Sequence, residues 1–430
     1  MRKPPFPEVP SQVLYILERL RQAQKQAFIV GGAVRDALMG RPIKDWDVAT
    51  SAKVDLVRSL FPKVIPTGAR HGTVTVKVGG LEVEVSAFRG RTIVEDLGHR
   101  DFTVDAMAWD PQGPTLLDPF GGIGDLKDRL LKGVIDPLKR FLEDPLRALR
   151  GVRLAGELEL EIEPSTKRAM EQVAGLLEGV AKERVMEELD RIVLLPSPMR
   201  ALLELGKSSL LASLIPEVLD KGLPTAEDPE CLPLEHLALT LEKLPQDRSL
   251  RWAGLLHRLG VRCPPEEAVG PQEVAANAAF SVLTRLRAPG RTRKEASHII
   301  LHHALSPKRP WSWPDAREFI LDVGEEYALA IVKLRIASLE AWSKRREDVI
   351  NLEGLEEMVR SLIQEEGGLS FLKPALDGSE AMEILGLGPG PELGRVIQEM
   401  RKEVARNPEL NEKEKLRAWL LSRHSKRAKP

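Results

Sequence analysis

Residues 31–50 read GGAVRDALMGRPIKDWDVAT and constrain the fold more than any other stretch of the chain. The apolar run 27–30 predicts a short buried strand, and residues 33–39 predict a helix that begins just after two glycines. Residues 46–49 predict a second strand. Because side chains alternate along a strand, Asp45 and Asp47 are expected on the same face.

The glycine turn and the paired carboxylates suit the same kind of ligand. Gly31 and Gly32 let the backbone approach a ligand and open onto a helix N-terminus, which favours anions, and Arg35 adds a cation. Two carboxylates on one face repel each other unless a cation lies between them. Such oxygen ligands suit Mg²⁺ together with substrate phosphates. The stretch therefore indicates phosphoryl or nucleotidyl transfer.

The composition is that of an ordinary globular protein with room for two to four domains. Of 430 residues, 43% are hydrophobic and 30% charged, and the net charge is −1. Any nucleic-acid site must therefore be a local patch of lysine and arginine. The two cysteines, Cys231 and Cys263, exclude a disulfide framework and a cysteine zinc site. We expect a cytoplasmic protein without a signal peptide or membrane span.

The remaining periodicity predicts an α+β fold. Alternating runs at 72–78 and 81–88 surround Gly79-Gly80 and predict a β-hairpin, so the first part of the chain is expected to contain a small, mostly antiparallel sheet. After Ile135 the patterns are helical. We predict a head at 1–135, followed by an all-α neck at 136–205, body at 206–345 and tail at 346–430.

Further candidate residues lie outside the opening stretch. Glu84 is a candidate third acid on the second hairpin strand, with a solvated strand edge as the alternative. Residues 144–158 predict one helix, on which Asp144 and Arg147 share a face. Their acceptor and donor groups could pair with the edge of a nucleobase, and an internal salt bridge is the alternative. Arg150 and Arg153 continue the cationic face.

Several blocks together resemble the class II tRNA nucleotidyltransferase and bacterial poly(A) polymerase family of the polymerase-β-like superfamily. The resemblance is strong over about residues 28–155 and good in the far tail. The matching blocks are GG-x-V-R-D with D-x-D (31–47), HRDFTVDAMA (99–108), DPFGGIGDLKDRL (118–130), EDPLR (143–147) and LDGSEAMEILGLGPGPELG (376–394). His99 departs from the family, which usually has an arginine there.

The resemblance implies a role for each candidate residue. Asp45 and Asp47 hold Mg²⁺ and act in catalysis with Glu84, while Asp144 and Arg147 select the base without a nucleic-acid template. The nucleotide-binding residues are Gly31, Gly32, Arg35, Arg100, Asp101, Asp105, Asp144, Arg147, Arg150 and Arg153. Basic tail residues are expected to contact the tRNA acceptor arm: Lys402, Arg406, Lys413, Lys415, Arg417, Arg423, Lys426, Arg427 and Lys429.

A short segment indicates which nucleotides are added. Only residues 90–94 separate Phe88-Arg89 from Glu95, whereas many relatives have a longer loop that is needed for the final A addition. The resemblance therefore implies a CC-adding enzyme that uses CTP and leaves the final A to a separate A-adding enzyme. A complete CCA-adding enzyme that uses CTP and ATP is the main alternative. An A-adding enzyme or poly(A) polymerase is the less favoured one.

Two rival functions come from other classes. An HD-type metal phosphohydrolase would need an adjacent His-Asp pair, but Arg258 follows His257, and His236 has no such partner either. An RNA-binding protein with an inactive head would not need Asp45 and Asp47. Both rivals are therefore disfavoured by the residues themselves.

Overall fold

A computed structural model describes residues 7–68, 72–113, 116–219, 233–259, 270–306, 310–341, 346–365 and 373–424. The chain forms two compact units, Met1–Leu214 and Ile215–Pro430. Cys231, Cys263, Lys426, Arg427 and Lys429 lie outside the described residues.

The first unit contains a mixed sheet that has seven strands within the described residues, in the order β3-β4-β5-β2-β1-β6-β7. Only β2 and β5 pair in parallel, so the predicted mostly antiparallel sheet is confirmed. The strands are β1 (Ala27–Val30), β2 (Trp46–Thr50), β3 (Val64–Gly68), β4 (Thr73–Val78), β5 (Leu81–Ala87), β6 (Ala108–Trp109) and β7 (Leu116–Leu117).

The helices of the first unit cover both faces of this sheet and continue beyond it. They are α1 (Ser11–Gln22), α2 (Gly32–Leu38), α3 (Val54–Leu60), α4 (Ile93–Leu97), α5 (Gly122–Lys127), α6 (Pro137–Glu143), α7 (Leu146–Leu158), α8 (Pro164–Val173), α9 (Lys182–Val193), α10 (Met199–Lys207) and α11 (Leu210–Leu214). A two-stranded sheet joins β8 (Leu130–Leu131) to β9 (Glu161–Ile162), which the sequence pattern does not predict.

Strand alternation explains why both faces of the sheet are buried. Ile29 and Val48 pack in a core that includes α1. Their neighbours Val30 and Ala49 point the other way and pack in a second cluster that includes Leu97 of α4. Asp45 and Asp47 have the same parity as Ala49, so they belong to the α4 side of the sheet. This side carries the candidate site.

The helix predicted over 144–158 is present but begins two residues later, at Leu146. Helix α6 ends at Glu143, Asp144 has extended backbone (φ −152°, ψ 100°), and α7 begins at Leu146. The physical reason is Pro145, because a proline disfavours helical backbone at the residue before it. Asp144 and Arg147 therefore do not share a continuous helix face.

The second unit is helical throughout the part of it that the structure describes. Its helices are α12 (Pro233–Lys243), α13 (Arg248–Leu256), α14 (Pro271–Arg285), α15 (Gly290–His302), α16 (Trp313–Val323), α17 (Glu325–Ala341), α18 (Arg346–Glu365), α19 (Gly378–Leu385), α20 (Pro391–Arg406) and α21 (Lys413–His424). Residues 376–420 hold a small core of their own. None of the helices in the described ranges has the length and apolar character that crossing a bilayer requires.

Three buried histidines lie together in the second unit. The ring of His257 is 5.6 Å from that of His236 and 5.3 Å from that of His303, between centroids. His257 Nδ1 donates to the Gly254 carbonyl at 2.8 Å. Within the described ranges, no three His, Cys, Asp or Glu side chains are arranged to hold a metal ion. The histidines are therefore core residues rather than an HD-type metal site.

Acid should destabilise this histidine cluster. Burial, reinforced by His303 and His236, lowers the pKa of His257, and burial lowers the pKa of His303 to about 4. The unfolded pKa is about 6.5, so the folded state binds fewer protons and stability falls as pH drops below about 6.5. Urea unfolding should show a loss of up to about 1.4 kcal/mol per pH unit for each histidine. His303→Gln should reduce this slope, and an unchanged slope would contradict the assignment.

Candidate active site

Gly31 lies next to two side chains of the candidate site. It follows β1 directly, has φ +69°, and precedes the first residue of α2. A Cβ atom at this position would lie 2.9 Å from Arg100 Nη1 and 3.4 Å from Asp47 Oδ2. Glycine is therefore required both by the backbone conformation and by the close approach of these two side chains.

The carboxylates lie on the two parallel strands. Asp47 of β2 is in register with Glu84 of β5, and Asp45 immediately precedes β2. Burial raises the pKa of Asp47 to about 6, with Glu84 and Asp45 acting in the same direction and Arg100 opposing them. Strand β5 lies between β4 and β2, so Glu84 is not on an edge strand, although its side chain is exposed.

These carboxylates suit a hard cation that takes its other ligands from a substrate. A bound cation would relieve their mutual repulsion, and all the donors are oxygen atoms. Yet no group of three or more acidic, histidine or cysteine side chains converges as a ready metal cage in the described part of the chain. Mg²⁺ normally keeps water and phosphate ligands beside one or two carboxylates, so this donor set fits it.

Arg35 is engaged inside the protein. It is 7% exposed, and its guanidinium contacts Asp105 at 2.6 Å and Asp36 at 3.0 Å. Burial alone would lower its pKa, but Asp105 and Asp36 outweigh burial and raise the pKa above its ordinary value. The ion pair between Arg35 and Asp105 therefore joins α2 to the 3₁₀ helix Thr103–Asp105.

Asp101 forms ion pairs with two of the arginines predicted to bind the nucleotide. Its carboxylate lies 3.1 Å from Arg147 Nε and 3.3 Å from Arg150 Nη1. Arg147 also lies 3.3 Å from Glu143 Oε2. These contacts bring the segment after α4 together with the first turn of α7.

Asp144 has a different partner from the one that helix spacing indicated. Its Oδ2 accepts from Arg184 Nη2 of α9 at 2.7 Å, and its Oδ1 accepts from the Leu146 N–H at 3.2 Å. Sequence reasoning missed Arg184. Only its position at the start of an amphipathic helix was visible, and nothing in that pattern links it to Asp144.

Arg153 lies away from this group. Its guanidinium contacts Glu188 at 2.8 Å and Glu157 at 3.0 Å, so it joins α7 to α9. Another missed arginine, Arg140, is buried and lies 3.0 Å from His99 Nδ1. The structure thus brings Gly31, Asp47 and Arg100 together, and Asp101, the next residue after Arg100, pairs with Arg147 and Arg150. Arg153 belongs to a separate ion-pair network.

A mixed sheet with facing carboxylates, a glycine turn and neighbouring arginines defines a polymerase-β-like nucleotidyltransferase. The family described as "Poly A polymerase head domain" matches residues 27–132, and the one described as "Probable RNA and SrmB- binding site of polymerase A" matches residues 159–221. The CCA-adding enzyme of Geobacillus stearothermophilus is 34% identical over 99% of both chains. This chain belongs to the CCA-adding enzyme family.

Solved structures agree with this membership. The crystal structure of Bacillus stearothermophilus CCA-adding enzyme in complex with CTP is 32% identical, has a TM-score of 0.75 and matches 99% of both chains. The Thermotoga maritima CCA-adding enzyme complexed with tRNA is 20% identical, with a TM-score of 0.64 over 96% of both chains, and shows a shared fold.

Replacing Gly31 should damage the site more than the fold. Gly31→Ala would strain the backbone and push Arg100 away, so we expect kcat/KM for nucleotide transfer to fall by about tenfold or more. Gly40→Ala is the matched control, because Gly40 has φ +66° and a Cβ atom there would have no neighbour within 4 Å. That variant should lose stability only. Equal activities in the two variants would contradict the role of Gly31.

Proposed function

We propose that this chain is a tRNA nucleotidyltransferase that transfers cytidines from CTP to the 3′ end of tRNA that lacks CCA. One observation carries the proposal: the Gly31 turn faces Asp47 and Arg100, with Glu84 in register on the parallel strand. The phosphates of an incoming nucleotide and the attacking 3′-hydroxyl of an RNA can both be held at such a place. We also propose that the protein acts in the cytoplasm, where tRNA is processed.

Asp45 and Asp47 would hold Mg²⁺, with Glu84 as an additional acid beside them. When bound, the metal lowers the pKa of the RNA 3′-hydroxyl and neutralises charge on the triphosphate. The backbone N–H groups at Gly31 and Gly32 and the Arg100 guanidinium would bind the phosphates. Arg35 and Asp105 would support this turn through their ion pair rather than touch the nucleotide.

Base selection is proposed for Asp144 and Arg147 on either side of Pro145. The Leu146 N–H and Arg184 orient the two oxygens of Asp144, while Asp101 and Glu143 orient Arg147. An acceptor and a donor held in this way can match the amino group and ring nitrogen of cytosine. Arg150 would add positive charge near the nucleotide, and Arg153 would act by holding α7 against α9.

The connection between β5 and α4 supports addition of cytidines only. The Arg89 N–H donates to Asp96 at 3.0 Å, the Arg91 N–H donates to Glu95 at 2.7 Å, and Thr92 caps α4 by accepting from the Glu95 N–H. A Cβ atom at Gly90 would lie 2.5 Å from Glu95 Oε2. A connection held this closely has little freedom to reshape the pocket for ATP, and a separate A-adding enzyme would then finish the end.

Complete CCA addition is the second candidate. It is favoured by the full-length similarity to the Geobacillus stearothermophilus protein, which is called a CCA-adding enzyme. In that case the chain would use ATP as well as CTP.

The helical neck, body and tail are proposed to bind the acceptor arm of tRNA through its phosphates. Some tail cations are already paired: Lys402 contacts Asp322, Arg406 contacts Glu318 and Lys413 contacts Glu380. Arg417 is exposed on α21. RNA contact by the paired cations would require exchange of their carboxylate partners for phosphates, whereas Arg417 can reach RNA directly.

The experiment is incorporation onto a tRNA transcript that ends at its discriminator base. CTP alone, ATP alone and both nucleotides are supplied with Mg²⁺, and the 3′ ends are sequenced. Two cytidines without adenosine, even with both nucleotides present, are the expected result. A complete CCA end would favour the second candidate, and no incorporation would contradict nucleotidyl transfer to tRNA.

A further inference from the structure

A pocket in the first unit has a volume of about 410 Å³. Its apolar lining is formed by Val94, Gly98, Phe120 and Ile135. The neighbouring residue His99 lines the pocket, whereas Arg100 and Asp101, which follow it in the chain, contact the active-site groups described above. The reaction as described makes no use of this pocket, which we call the His99 pocket.

Ile135 is held there in an unfavourable conformation. It has φ +58° and is 76% exposed, and the turn around it is closed by a 2.7 Å bond from the Asp136 N–H to the Val134 carbonyl. Left-handed backbone is costly for a β-branched residue, and exposure of its side chain brings no compensating burial. The Val134 N–H donates to the Asp101 carbonyl, so this turn is attached to the active-site segment. Strain retained at such a position points to function.

A missing side chain keeps the pocket open. A Cβ atom at Gly98 would lie 3.3 Å from the Glu95 carbonyl oxygen and 3.4 Å from both Ile135 Cδ1 and Phe120 Cζ, so even a methyl group would occupy part of the pocket. Gly98 has ordinary helical backbone (φ −63°), and its conformation does not require glycine. Val94, which is 45% exposed, adds a second uncovered aliphatic side chain.

Two cations also line the pocket. Lys139 is exposed, whereas Arg140 is buried and reaches His99 Nδ1 at 3.0 Å and Glu143 at 2.9 Å. Glu143 also contacts Arg147, so this part of the lining is connected to the residues proposed to select the base.

Two carboxylates also line the pocket, but both bind backbone donors. Glu95 accepts from the Arg91 N–H, and Asp136 accepts from the Lys139 N–H at 3.1 Å as the cap of α6. The pocket therefore combines apolar side chains with one exposed lysine, which matches a flat base attached to a phosphate.

We propose that the His99 pocket binds an unpaired nucleotide of the RNA substrate, next to the reacting 3′ end. Its base would lie against Ile135 and Phe120, and its phosphate would face Lys139. The inference rests on the proposed function, because it takes the substrate to be an RNA with an unpaired end.

The test is Ile135→Gly, which removes the apolar surface and relieves the backbone strain. We expect KM for tRNA lacking CCA to rise roughly tenfold, KM for CTP to stay unchanged, and the thermal midpoint to hold or rise. Gln24→Gly is the matched control, because exposed Gln24 also has positive φ (59°) but lies outside the pocket. Gly98→Ala should also raise KM for tRNA, because the added methyl group would occupy part of the pocket.

The outcomes separate this inference from the proposed function. If the wild-type protein extends tRNA but both pocket variants keep its KM for tRNA, the pocket does not bind the RNA. That result would overturn the inference. If the wild-type protein extends no RNA, the proposed function fails and the inference fails with it.

Discussion

The parallel pairing of β2 with β5 is the constraint on which the active site depends. Antiparallel neighbours surround this pair, yet only here, among the strands that the structure describes, do two neighbours of the large sheet run in the same direction and place Asp47 opposite Glu84. The adjacent strand β1 then delivers Gly31 to the same side of the sheet. Two acids and a glycine turn thus meet on one side of three neighbouring strands. Burial, with Glu84 and Asp45 acting in the same direction, raises the pKa of Asp47 at this position.

Ion pairs join segments that are distant in sequence around this centre. Arg184 binds Asp144 at an exposed position, whereas the pairs of Arg35 with Asp105 and of Arg147 with Asp101 are largely buried. Removal of one partner from such a pair leaves a charge without compensation, which costs more than the pair contributes to stability. The pairs therefore specify geometry rather than simply strengthen the fold.

The sequence was sufficient wherever local chemistry determines the structure. The glycine turn, the strand at 46–49 and the Gly79-Gly80 hairpin follow from periodicity and turn residues, and all three are present. The two-residue strands β6 to β9 are too short for any periodicity. The later start of the helix at Leu146 has a local cause in the sequence, because Pro145 restricts the backbone of Asp144. Partners such as Arg184 depend on tertiary packing, which one sequence does not display.

In the proposed mechanism, Asp45 and Asp47 hold a divalent cation together with the nucleotide. Titration of Mn²⁺, as a paramagnetic substitute for Mg²⁺, into the protein with CTP would test this, with free Mn²⁺ followed by electron paramagnetic resonance. We expect CTP-dependent Mn²⁺ binding by the wild-type protein and its loss in Asp45→Asn and Asp47→Asn variants that remain folded. Equal Mn²⁺ binding by the variants and the wild-type protein would contradict it.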